Sequence, residues 1–218
     1  MPLIVFDLDG TLIDSQEDLA GAANALITEH GGSELSVSEI AAMVGDGAAV
    51  LVRRVMKAAG LTDVHDALQR FLELYDERLL RTTRLYRGMD AVLDELSGKA
   101  SLAVLTNKPA RATNQILEGL GVANMFQWVI GGDSAFGRKP DPAGLLHLVS
   151  QATCLPRETI MIGDSAVDVA TARAAGTRMC IARYGFGFRP AAVDPGADDV
   201  VVDRPEEIVL AVRQVLAG

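Results

Sequence analysis

The sequence predicts an α/β protein: a doubly wound, mostly parallel sheet with a small all-helical cap domain inserted after its first strand. Three observations carry this. Short apolar runs, beginning with Leu3-Ile4-Val5-Phe6, recur along the chain and read as buried strands. After Gly88 they alternate with segments of helical periodicity, which implies right-handed crossovers and parallel pairing. Residues from about 15 to 82, in contrast, show helical spacing and no strand pattern.

The first strand runs into Asp7-Leu8-Asp9-Gly10-Thr11, where Gly10 ends it. Asp14 and Ser15 can cap a helix from Gln16 to about His30, with Leu19, Ala22, Ala23, Leu26 and Ile27 on one stripe, until Gly31-Gly32 stops it. Ser36-Val37-Ser38-Glu39 is a capping box for a helix with Ile40 and Met43. Gly45-Asp46-Gly47 breaks that helix, helical spacing resumes from Ala48 to Ala59, and another helix is predicted from about Val64 to Leu80. Beyond Gly88 the predicted helices are Met89 to Leu96, Ala110 to Gly119, Pro142 to Ala152, Ser165 to Ala175 and Glu206 to Leu216. The strands between them are Ser101 to Leu105, Gln127 to Ile130, Thr159 to Ile162, Met179 to Ala182 and Asp199 to Val202. Residues 1–14 and 87–218 therefore read as the α/β core and 15–86 as the cap, hinged near Asp14 to Gln16 and Tyr86 to Gly88.

With 218 residues, 49% of them hydrophobic, the chain can bury a sizeable core and a smaller second unit. A net charge of −9 and the lack of a basic stripe argue against nucleic-acid or anionic-membrane surfaces. The same charge would repel an anionic substrate, so a phosphate site needs local cations. Cys154 and Cys180 form no motif, and Met1-Pro2-Leu3 leads into the first strand without a basic n-region. The expectation is a cytoplasmic protein, monomer or homodimer.

Side chains i and i+2 of an extended segment share a face, so Asp7 and Asp9 are expected side by side. Such a pair implies a cation or a shared proton between them, although Asp-Gly is also a common turn. In parallel sheets the site lies beyond the carboxyl ends of the strands. Thr106-Asn107-Lys108 and Gly163-Asp164 follow apolar runs and should converge with Asp7 and Asp9. The Thr106 hydroxyl could serve a phosphoryl oxygen or only an ST-turn. Lys139, extended before Pro140, could neutralise phosphoryl charge or sit in solvent, as expected of Arg138. Asp168 lies one helical turn after Asp164 and could face the same ion or only favour its helix dipole. Gly45-Asp46-Gly47 reads as an inter-helix turn. His30, His65 and His147 read as structural or surface groups, and Trp128 as core.

Four pieces, D-L-D-G-T at 7 to 11, L-T-N-K at 105 to 108, R-K-P-D-P at 138 to 142 and G-D-S-A-V-D at 163 to 168, together resemble the haloacid-dehalogenase-like hydrolase superfamily, whose core is Rossmann-like. Within it the chain looks most like the phosphoglycolate phosphatases, through D-L-D-G-T-L-I-D-S, V-G-D-G-A-A-V-L-V-R-R, V-I-G-G-D at 129 to 133 and R-Y-G-F-G at 183 to 187. The resemblance implies a Mg2+-dependent phosphatase acting on a small phosphorylated metabolite, with 2-phosphoglycolate as first guess. It makes Asp7 the nucleophile, an ionised carboxylate that needs no base and passes through an aspartyl-phosphate. It makes Asp9 the general acid and base, and Thr106, Asn107 and Lys139 the groups around the phosphoryl oxygens. Magnesium would take oxygens from Asp7, the Asp9 carbonyl and Asp164, with Asp168 facing it directly or through water. Gly45 would belong to a loop closing over the site, and Arg54 would match the family's cap arginine and pair with a substrate carboxylate.

The neighbouring readings are a phosphatase for pyrophosphate, a nucleotide or a sugar phosphate, and a sugar phosphomutase. Mutases usually read D-G-V and E-D where this chain has D-G-T at 9 to 11 and G-D at 163 to 164. A phospho-acceptor or binding module on a similar sheet is the non-enzyme alternative. The complete acidic and basic set would be superfluous there.

Overall fold

The computed structural model describes residues 1–62 and 65–217. Six strands form one parallel sheet: β1 (Leu3–Phe6), β4 (Ser101–Leu105), β5 (Trp128–Ile130), β6 (Thr159–Gly163), β7 (Arg178–Ala182) and β8 (Val200–Val202). Their order is β5-β4-β1-β6-β7-β8. The chain builds outward from β1 through β4 to β5, then returns to β6 on the other side. The order thus reverses at β1, and the crevice beyond the carboxyl ends of β4, β1 and β6 is where such a sheet binds ligands.

Alternation along the strands divides the core. Ile4, Phe6, Leu102, Val104, Ile160 and Ile162 face one layer, made by α5 (Met89–Ser97), α6 (Ala110–Gly119) and α9 (Ile208–Ala217). Leu3, Val5, Ala103, Leu105, Met161 and Ile181 face the other, made by α7 (Ala143–Gln151) and α8 (Ala166–Ala175). All four β1 residues are fully buried, because a central strand covered on both faces has no solvent side.

The helical insert consists of α1 (Gln16–Glu29), α2 (Val37–Ala41), α3 (Ala48–Ala58) and α4 (Ala67–Asp76). The predicted capping box at Ser36 is present and opens α2. The last cap helix is shorter than its periodicity predicts. Asp66, left-handed at φ 60°, delays its start, and the expected start at Val64 lies outside the described residues. Two short strands absent from the sequence reading, β2 (Ile13–Asp14) and β3 (Arg84–Leu85), pair antiparallel where the chain enters and leaves the insert. Trp128, expected in the core, is half-buried against one sheet face rather than enclosed. No described helix is long and apolar enough to cross a membrane.

Candidate active site

Asp7, Asp164 and Asp168 are buried together, and each offers a carboxylate oxygen within 4.8 Å of the others. They arrive from two neighbouring strands: Asp7 follows β1, Asp164 follows β6, and Asp168 sits in the first turn of the next helix, α8. Lys139 Nζ lies 2.7 Å from Asp7 Oδ1 and 2.5 Å from Asp168 Oδ1, so a buried ammonium joins two of the three. One positive charge among three carboxylates leaves a surplus of negative charge, which is costly in a dry site. Burial pushes the Asp7 carboxyl up to about 7; Lys139 opposes that rise and Asp168 adds to it. Asp164 is raised well above its ordinary range, first by burial and then by the charges of Asp168 and Asp7. The sequence reading takes Asp7 as a carboxylate ionised at neutral pH; burial opposes that charge and Lys139 favours it. Oxygen-rich donors carrying excess charge fit a hard divalent cation, which would relieve both effects.

Asp168 takes the helix-start role that its spacing allowed and adds a contact with Lys139. Its Oδ2 accepts from Ser165 N and Oγ at 3.0 and 2.6 Å, a capping box that fixes α8, while Oδ1 faces Lys139. Asp164 is held by Gly187 N, which donates to its Oδ2 at 2.7 Å. A Cβ on Gly185 would lie 2.2 Å from Gly10 O and 2.3 Å from Asp164 Cβ, so the chain wraps this carboxylate too tightly for a side chain. Tyr184 anchors the same segment by donating to Thr11 O at 2.8 Å.

Asp9 departs from the sequence reading. Its carboxylate does not share a cation with Asp7; it accepts from Lys108 Nζ at 3.0 and 2.9 Å and from Ser15 Oγ at 2.5 Å. The extended geometry ends at Phe6, and the turn through Gly10, at φ +88°, sends the two aspartates to different lysines. Lys108, which sequence reasoning left without a role, is buried, with Nζ 4.5 Å from the centre of the Tyr75 ring. Burial opposes its charge, but Asp9 more than compensates and holds the ammonium above the usual lysine range. The only sequence signal was a cation directly after the Thr106-Asn107 strand end.

Thr106 Oγ1 accepts from Lys108 N at 3.2 Å, the ST-turn alternative, which leaves the hydroxyl proton free to donate. Asn107 Nδ2 donates to Gly45 O at 2.9 Å and to Lys139 O at 3.0 Å, linking the cap loop to the core. Gly45 thus reaches the site through its carbonyl. Arg54 does not: its Nη1 donates to Met43 O at 2.9 Å and pairs with Asp46 Oδ2 at 2.6 Å, bracing its own loop. A cavity of about 120 Å³ lies between cap and core, bounded by Asp7, Asp9, Thr106, Lys108, Gly45 and Tyr75, and Arg54 is not in its wall. A cavity of about 150 Å³ takes one benzene, so this one suits a ligand of few heavy atoms. Arg138 is exposed as expected and donates to Gly132 O; His147 stacks on Phe136.

Residues 4–182 match the family model described as haloacid dehalogenase-like hydrolase. The chain is 39% identical over 196 residues to a phosphoglycolate phosphatase of Cereibacter sphaeroides, covering 87% of this chain and 88% of that protein. It is 38% identical over 210 residues to one of Pseudomonas putida, covering 92% and 76%. Among solved structures it is similar to that of a predicted phosphoglycolate phosphatase from Haemophilus somnus, with a TM-score of 0.88, 29% identity and 97% of each chain covered.

Proposed function

Because the chain belongs to the haloacid dehalogenase-like hydrolase family, we propose that it is a magnesium-dependent cytoplasmic phosphatase that hydrolyses a small phosphomonoester, 2-phosphoglycolate first, through an aspartyl-phosphate. The observation that carries this reading is Asp7. It belongs to a buried cluster with Asp164, Asp168 and Lys139 and also borders a small cavity roofed by the cap. Free Cys154 and Cys180 suit a reducing compartment.

In this reading an oxygen of Asp7 attacks phosphorus as the ester oxygen leaves, and Asp9 gives that oxygen its proton. Asp9 then takes a proton from water, whose oxygen attacks the phosphoaspartate, releasing inorganic phosphate and restoring Asp7. Thr106 donates its hydroxyl to a phosphoryl oxygen, and Lys139 supplies positive charge at the reacting carboxylate. Asp7, Asp164, Asp168 and the Asp9 carbonyl would hold magnesium, which when bound neutralises phosphoryl charge. The cap excludes bulk water, and its small cavity restricts the leaving group.

The test is phosphate release from 2-phosphoglycolate with magnesium and after chelation. Turnover should vanish with chelation and return with magnesium, and Asp7→Asn should be inactive yet folded. Undiminished turnover in chelator would contradict the proposal.

A further inference from the structure

We propose that Lys108 and Tyr75 together form the receptor for an anionic group on the leaving side of the substrate, a carboxylate in the first instance. The inference rests on the phosphatase reading and specifies what that site selects. Two observations place the receptor. Lys108 Nζ is a buried ammonium in the cavity wall, on the Asp9 side rather than in the Asp7, Asp164 and Asp168 cluster. Tyr75, from α4 of the cap, lines the same cavity, and its buried hydroxyl lies beside the Lys108 ammonium with no acceptor for its own proton. An unpaired buried hydroxyl is costly, and a ligand that accepts from it would remove that cost.

The two groups come from core and cap and adjoin, with Lys108 Nζ 4.5 Å from the centre of the Tyr75 ring, so one anion beside them would touch both. The other cation in the cavity wall, Arg111, is exposed and pairs with Asp76, so Lys108 is the enclosed cation among the described cavity-lining residues. Both Asp9 oxygens are engaged, Oδ1 by Ser15 and Lys108 and Oδ2 by Lys108. An anion that draws Lys108 toward itself frees Oδ2 to face the leaving oxygen. A substrate with a neutral leaving group would leave the Lys108 grip on Asp9 in place. The receptor thus couples recognition of the leaving group to the release of Asp9.

The experiment compares 2-phosphoglycolate with 2-hydroxyethyl phosphate, which has a neutral alcohol in place of the carboxylate, in wild type, Lys108→Met, Lys108→Arg and Tyr75→Phe. Wild type should favour 2-phosphoglycolate in kcat/KM. Lys108→Met should reduce that preference about 100-fold and Tyr75→Phe about 10-fold, the range for hydrogen bonds to a charged group. Lys108→Arg should retain it. Calorimetric titration with glycolate should show binding to wild type and none to Lys108→Met. Should Lys108→Met fail to fold, Tyr75→Phe carries the same comparison, since its ring remains stacked on Phe71. Equal losses on both esters, or glycolate binding undiminished by the substitutions, would overturn the receptor alone. Wild-type protein inactive on both esters would instead overturn the phosphatase reading, and this inference with it.

Discussion

Burial opposes the charge of Asp7, the proposed nucleophile, and that has a measurable consequence without substrate. Its carboxyl is moved from 3.8 to about 7, by burial first, so the folded protein binds a proton there that the unfolded chain has lost by pH 5. A raised folded value means that this contribution to stability is fully present below about 3.8 and is lost as pH rises through about 7. In chelator, the wild-type unfolding free energy should therefore fall relative to that of Asp7→Asn between about pH 4 and 7, by at most on the order of 1.4 kcal/mol per pH unit, and its melting temperature with it. Saturating magnesium should flatten the difference. Parallel melting curves of the two proteins across that window would show that the site does not store this charge cost.

The junctions around α1 and β6 depend on polar anchors that helical and strand periodicity does not reveal. Asp18, on the buried face of α1, accepts from the amides and hydroxyls of both Thr82 and Thr83, at 2.8 to 3.2 Å, fastening the returning cap segment beside the first hinge. Burial opposes its charge, but these bonds hold Asp18 below the ordinary carboxylate range, so its contribution is present at neutral pH and lost on acidification. Asp18→Ala should cost about 2–4 kcal/mol in urea unfolding at pH 7 and progressively less toward pH 3. A second anchor is the loop after β7, where Gly185 lies against Gly10 and Asp164. Gly185→Ala should push Asp164 from its place and reduce kcat by about 100-fold or more while circular dichroism is unchanged. Normal activity in that variant would mean that the loop yields. R-Y-G-F-G carried only a family likeness in the sequence. Its physical task, closing over Asp164, also depends on the Tyr184 bond to Thr11, 173 positions away in the chain.

At the scale of the molecule, the topology was legible because burial on both faces of a parallel sheet imposes continuous apolar runs, and the site because polar residues follow those runs at the switch point. What the sequence did not reveal is which charges pair across the crevice. Lys108 and Asp9 are 99 positions apart, and no periodicity links a lysine after β4 to an aspartate after β1. The β2–β3 ribbon escaped for a related reason: two residues per strand are too few for an alternating pattern. That ribbon, with the Asn107 bond to Gly45, the Arg111 pair with Asp76 and the Lys108 contact with Tyr75, sets the path by which the cap would move: two strands to flex and these side-chain links to break. If the cap closes as a body on that ribbon, magnesium with orthovanadate as a phosphoryl mimic should slow amide exchange at Gly45 to Ala48 and Tyr86 to Met89 about tenfold or more. Exchange in α7 and α8, on the sheet face away from the cap, should change little. Asn107→Ala should quicken exchange of the Gly45 loop in the free protein and raise KM, because the loop loses its core partner. Slowing spread evenly over cap and core would indicate general stabilisation by ligand rather than closure. No change at the hinge would mean that substrate enters through a gap already open between cap and core.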